Sequence, residues 1–266
     1  MTITFLKVKS LITNMLPGFQ VKEINPSNTF EEFIEIVKVN NVNYIYCLFS
    51  GGRDSLTTLH ISKKVSEHLS IPLEAIHVDT TISTPGNLQY VKAICNYLDV
   101  KLSIVKPKYD YFTYVEKWGF PTATRRWCCY HLKIEPLKDY FKTRDVKDGL
   151  LVDGIRQDES PKRRYFPKLG VHKHFKILCY HPIFEWKRAD VMNYLSINAL
   201  KENPLYDFFP RATECWCPAF KTVKQFEMLK KHFPEFFNKL IDAEKNLKSR
   251  GSALYKNGKR IYLRDL

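Results

Sequence analysis

Short runs that are apolar throughout recur along this sequence, and each is followed by a segment in which apolar residues return every three or four positions. "YIYCLF" (44–49), "EAIHVD" (74–79), "KLSIVK" (101–106), "LLVDGI" (150–155) and "ILCYHPI" (177–183) read as strands. Helices are predicted over 54–68, after Pro85 (with Leu88, Val91, Ile94 and Leu98 on one face), over 130–141 and over 188–197. An earlier helix is signalled at 28–39, where Thr29 and Glu32 have the spacing of a capping box. Two more, over 224–232 and 234–248, close the chain. Strands without inside–outside alternation are buried on both faces, and their alternation with helices implies an α/β fold built on a doubly wound parallel sheet. The predicted organisation is an N-terminal extension and helix (1–40), a main α/β domain (41–220) and a C-terminal helical portion with a basic tail (221–266).

With 266 residues, 44% hydrophobic and 14% aromatic, the chain can bury a proper core. Its apolar runs are too short to span a bilayer. The N-terminal stretch carries Lys7 and Lys9 inside its apolar part and makes a poor signal peptide, so a cytoplasmic protein with no membrane partner is expected. The net charge of +14, from 42 basic and 28 acidic residues, favours a polyanionic partner such as nucleic acid. The densest basic patch, 156–176, lies next to a motif and equally suits a small phosphorylated ligand.

Ser50-Gly51-Gly52-Arg53-Asp54-Ser55 joins the first buried strand to a helix. Two glycines allow backbone angles and close approaches denied to other residues, and the helix N-terminus supplies N–H groups, so the turn reads as an anion receptor. It lacks the G-x-x-x-x-G-K-[ST] pattern of the Walker loop.

"SGGRDS" resembles the S-G-G-x-D-S pyrophosphate loop of the adenine-nucleotide alpha-hydrolase group. Further stretches, in matching order, resemble the phosphoadenosine-phosphosulfate (PAPS) reductase family: "HVDTTISTPGNLQYV" (77–91), "DGIRQDESPKR" (153–163), "HPIFEWKRADVMNYL" (181–195) and "NPLYDFFPRATECWCP" (203–218). The resemblance implies that Ser50, Gly51, Gly52, Arg53, Asp54 and Ser55 cradle the phosphates of ATP, or of APS or PAPS. It places Asp79 and Thr80 near the nucleotide, with Asp79 on ribose or Mg2+. It makes Arg156 and Arg163 anion clamps and lets Glu159 orient Arg156. Asp54, Asp79 and Arg156 are the implied catalytic residues. Trp186 and Asp190 read as structural, and Arg211 as a neighbour of the cysteine site.

Seven cysteines in a cytosolic chain argue against disulfides. Cys47, Cys95 and Cys179 stand alone in apolar surroundings and read as core. Cys128-Cys129 and Cys215-x-Cys217, roughly 85 residues apart, suggest a four-thiolate site. Adjacent cysteines serve a single zinc ion awkwardly but can reach separate irons of a cubane, which points to a 4Fe–4S cluster over zinc. The resemblance agrees, since some sulfonucleotide reductases and thiolation enzymes use C-C…C-x-x-C. Here the first position of C-x-x-C falls on Glu214. Either the backbone adjusts, or Glu214 becomes a ligand, or the thiols stay free.

The leading expectation is an enzyme that adenylylates an oxygen with ATP, releasing pyrophosphate, so that sulfur enters a nucleic acid. Its partners would be a tRNA or DNA substrate and a sulfur-donor protein. The alternative is a sulfonucleotide reductase, which needs a nucleophilic cysteine thiolate; none follows Cys217 in this sequence. A third reading is a non-enzymatic nucleotide- or nucleic-acid-binding module.

Overall fold

The computed structural model describes residues 29–210, 214–247, 254–256 and 259–266. The N-terminal stretch and Arg211 therefore lie outside the described residues. By compactness the chain divides into two units interleaved in sequence. One comprises residues up to His77, Ala93–Ser103 and Phe141–Glu202; the other comprises Val78–Lys92, Ile104–Tyr140 and Asn203–Leu266.

The first unit is built on a six-stranded sheet of β1 (Tyr44–Leu48), β2 (Leu73–Val78), β3 (Lys101–Val105), β4 (Gly149–Val152), β5 (Leu169–Val171) and β6 (Leu178–Tyr180), in the order β3-β2-β1-β4-β6-β5. β1 runs parallel to β2 and β4, and β4 parallel to β6, as the apolar runs predict. The edge strand β5 is antiparallel to β6 and was not foreseen; it lies inside the basic patch and has only three residues. Every residue of β2, β4 and β6 is buried.

Helices α1 (Thr29–Val39) and α2 (Arg53–Leu69) flank β1 in sequence. On β1, Tyr46 meets Phe141 edge-on with ring centroids 5.4 Å apart, while Cys47 is buried beside Ser62 of α2. Neighbouring strand residues point to opposite faces, so the sheet is covered on both sides. Thr29 and Glu32 do not spend their side chains on each other's backbone. Thr29 Oγ1 accepts from the Trp186 indole N–H at 3.0 Å, and Glu32 takes Lys168 Nζ at 2.7 Å, because both are turned toward tertiary partners.

The second unit packs α4 (Tyr111–Trp118), α8 (Val223–His232), α9 (Pro234–Lys245) and the hairpin β7 (Leu254–Lys256) and β8 (Lys259–Ile261) around one aromatic core. The remaining helices are α3 (Asn87–Tyr97), α5 (Trp127–Cys129), α6 (Glu135–Lys142) and α7 (Arg188–Ile197); a π-helical turn, Tyr130–Ile134, joins α5 to α6. Asp190 caps α7 as expected, its carboxylate accepting the Lys187 N–H at 2.7 Å. Among the described residues no helix is long and apolar enough to cross a membrane.

Candidate functional site

In a doubly wound sheet the ligand crevice opens at the carboxyl ends of the strands, where the order reverses. Here the chain runs outward from β1 through β2 to β3, then returns to β4 on the other side of β1. The Ser50–Ser55 turn leaves β1 at that point. Gly51 has φ +86°, a left-handed conformation that favours glycine. Gly52 caps α2, and its N–H donates to Ser55 Oγ at 3.2 Å. Ser55 Oγ donates in turn to the Gly52 carbonyl at 2.9 Å, and Ser50 Oγ lies 3.1 Å from Ser55 Oγ. Arg53 Nε is ion-paired with Glu202.

The neighbouring strand end, after β4, closes on the same turn. A side chain at Gly154 would strike the backbone of Asp54 and Ser55. Arg156 is 6% exposed, and its guanidinium donates to Asp54 at 2.9 Å and 3.5 Å, and to Asp158. Glu159 accepts the Arg156 backbone N–H at 3.3 Å and pairs with Arg163. Arg163 also feels Asp153, Asp54 and Arg156. The fold thus brings Asp54, Arg156, Glu159 and Arg163 into one charged network beside the turn, with the Arg156 fork held between two carboxylates.

Asp79 and Thr80 follow β2 and belong to the second unit. Asp79 accepts the Thr81 N–H at 3.0 Å and lies 3.5 Å from Lys106 Nζ. Thr80 and Ser83 hydroxyls donate to the Glu214 carbonyl at 3.1 and 2.8 Å; Trp216 N–H donates to the Ile82 carbonyl at 3.0 Å and its indole N–H to Thr84 at 2.7 Å. This loop is therefore laced to the segment that carries Cys215 and Cys217.

That lacing brings the four paired cysteines together. The Cys128 thiol contacts both Cys129 and Cys217, and Cys217 contacts Cys215. The Cys128 hydrogen bond lowers Cys129 to about 7, burial opposing and Lys133 assisting. Its own bond to Cys129, with burial, raises Cys128 to about 12. Cys128 likewise raises Cys217 to about 11, and the contact with Cys217 and burial push Cys215 well up. One of the four thiols is thus shifted toward the thiolate and three away from it, and binding a cation or cluster would have to displace the protons of those three. Glu214 is taken by Lys133 Nζ at 3.1 Å, and Lys221 Nζ sits 4.8 Å over Trp216.

Tyr111 is fully buried and electrostatically coupled to Cys217, Cys215 and Cys128, yet its hydroxyl meets no hydrogen-bond partner among the described residues. An orphaned donor beside three of the four thiols fits a cluster whose sulfur atoms accept hydrogen bonds. Beside Cys217, a pocket of about 620 Å3 is lined by residues 122–124, 218–223 and Leu254. Phe220 there is 57% exposed, with the Arg126 guanidinium 5.3 Å from its ring.

Sequence reasoning did not single out Tyr111, Lys133 or His181. Lys133, four residues after Cys129, carried a legible signal, because such pairs share a helix face. Tyr111 carried none.

The phosphoadenosine phosphosulfate reductase domain model matches residues 44–212. The chain belongs to that family. Within the PAPS reductase family, it is 31% identical over 177 residues to adenosine 5'-phosphosulfate reductase 1 of Bacillus subtilis, covering 64% of this chain and 72% of that protein. An uncharacterized protein of Methanocaldococcus jannaschii is 31% identical over 249 residues, covering 91% of this chain and 57% of the relative. The chain spans about half the length of the curated relatives it matches over most of its own. Among solved structures, the PAPS reductase of Candida auris, in a phosphate complex, aligns with a TM-score of 0.52 at 22% identity over 70% of this chain and 85% of that one. The fold is thus the PAPS reductase, adenine nucleotide alpha-hydrolase-like fold.

Proposed function

We propose that this PAPS reductase family member is an enzyme that binds ATP at the turn after β1 and activates an oxygen of a nucleic acid for replacement by sulfur. The observation that carries the reading is the left-handed Gly51 turn, with Ser50 and Ser55, at the N-terminus of α2 where the sheet order reverses. Oriented N–H groups and the helix dipole favour a polyphosphate there. The acceptor oxygen attacks the α-phosphorus; the bond to the bridging oxygen breaks, and pyrophosphate leaves with the electron pair. A sulfur nucleophile from a donor protein then attacks the activated carbon, and AMP leaves with the C–O electrons. Positioning and charge neutralisation dominate the first step. Asp79 would be the ligand to Mg2+ or ribose.

Cys128, Cys129, Cys215 and Cys217 would hold a 4Fe–4S cluster, with Tyr111 donating to it and Lys133 balancing thiolate charge. When bound, the cluster supplies a place to hold sulfur for transfer. The pocket beside Cys217, lined by Phe220 and Lys221 and with Arg126 against the Phe220 ring, would suit a planar base and its phosphate. A tRNA or DNA acceptor also suits the net charge of +14.

The test is pyrophosphate release from ATP by anaerobically prepared protein, with and without RNA or DNA. Nucleic-acid-stimulated release supports the reading. A second reading, sulfonucleotide reduction, is favoured by the family match and the Bacillus relative. It predicts thiol-dependent sulfite release from APS or PAPS without ATP turnover.

A further inference from the structure

Asp153, Cys179 and His181 stand at the carboxyl ends of β4 and β6, in the unit that carries the phosphate turn. The register pairs Leu151 with Cys179 and Val152 with Tyr180, so Asp153 and His181 lie side by side one step further on. Strand residues two apart share a face, so Cys179 and His181 project to the same side, and Asp153 joins them from the adjacent parallel strand. One ligand atom from each lies within 4.8 Å of the other two.

His181 Nδ1 is 2.7 Å from Asp153 Oδ1. That contact lacks hydrogen-bond geometry: Nδ1 has no hydrogen-bond partner among the described residues, although His181 is 7% exposed. Asp153 Oδ1 accepts the Ile155 N–H at 3.0 Å, so the carboxylate is anchored independently of the histidine. A buried imidazole nitrogen whose one close neighbour is a carboxylate out of hydrogen-bond geometry, with a thiol beside it, suits a cation.

We infer that Asp153, Cys179 and His181 form a three-ligand site for a divalent transition-metal ion, with zinc the best match. Magnesium and calcium prefer all-oxygen shells, whereas a sulfur, nitrogen and oxygen set suits zinc and its borderline-soft neighbours. Three protein ligands leave a fourth position for water or a substrate oxygen. The site is separate from the four cysteines, which lie in the other unit, and does not depend on the ATP reading. Metal bound here ties β4 to β6 immediately before Gly154, the residue that abuts Asp54 and Ser55. It therefore stiffens one wall of the phosphate turn.

The decisive measurement is zinc-edge anomalous diffraction from crystals of the full chain grown with zinc. A peak about 2.0–2.3 Å from Cys179 Sγ, His181 Nδ1 and Asp153 Oδ establishes the site. No peak there at saturating zinc, or zinc on the four paired cysteines alone, overturns it. In solution, Cys179→Ser and His181→Gln should each bind one zinc fewer per chain than wild type. Folded variants that retain the wild-type zinc count overturn the proposal; should either variant fail to fold, the diffraction map of the wild-type chain decides.

Discussion

A Cβ added at Gly154 would stand 2.7 Å from the Asp54 carbonyl carbon, 2.8 Å from its oxygen and 2.9 Å from Ser55 N, all backbone atoms. Relief requires α2 or the β4 end to move. Gly154→Ala is expected to cost about 1–3 kcal/mol of stability and to weaken ATP or pyrophosphate binding by calorimetry about tenfold, roughly 1.4 kcal/mol. Unchanged affinity in a folded variant would remove the turn from the binding site. Arg156 poses the complementary case, an 8%-exposed side chain between Asp54 (28%) and Asp158 (41%). Arg156→Ala should lower unfolding stability by about 2–3 kcal/mol, less than the 3–5 of a fully buried pair because both carboxylates keep water. Denaturant melts with an unchanged midpoint would refute that. The type of these residues was legible in "DGIRQDES"; the carboxylate that takes the Arg156 fork was not, because it lies 102 positions away.

Elements whose identity rests on local pattern were legible, and those that rest on partners were not. The runs at β1, β2 and β4 have no polar face to hide, and α2, α3, α7, α8 and α9 repeat apolar residues at helical spacing, so each could be placed to within a few residues. β5 exists because β6 offers it an edge, and the β7–β8 hairpin read only as a basic, aromatic tail. The π-turn after Cys129 likewise has no sequence signature. Beyond β5, His172 stacks on Phe175 with centroids 4.0 Å apart, and its Nδ1 accepts the His174 N–H at 3.4 Å. Burial first, then His174, His181 and Lys173, lower its pKa to about 4 against the opposing Asp153. The folded value lies below the unfolded one of about 6.5, so unfolding takes up a proton between them. The histidine's contribution is complete above about pH 6.5 and is lost as pH falls toward 4. His172→Phe, which keeps the stack, should lose less melting temperature than wild type between pH 7 and pH 4. Parallel melting curves would contradict this.

At the level of the whole molecule, charge sets the expected partner and topology sets the order of assembly. If the surplus of +14 serves nucleic acid, single-stranded RNA affinity should fall log-linearly with salt, roughly fiftyfold between about 50 and 200 mM for four neutralised phosphates. A flat salt dependence in electrophoretic or anisotropy titrations would assign the charge elsewhere. Replacing Cys217 by Ser should deplete iron and acid-labile sulfide without abolishing ATP binding, since the phosphate turn belongs to the other unit. The same interleaving governs biosynthesis. Cys128 and Cys129 leave the ribosome some 86 residues before Cys215, a delay of roughly 4–17 s at about 5–20 residues per second. Throughout that interval two adjacent thiols wait without their mates, open to stray oxidants and scavenging metals. If the four cysteines hold a cluster as proposed, its loading waits until Cys215 and Cys217 have been made, and oxygen stress during translation should harm this protein more than the same exposure afterwards.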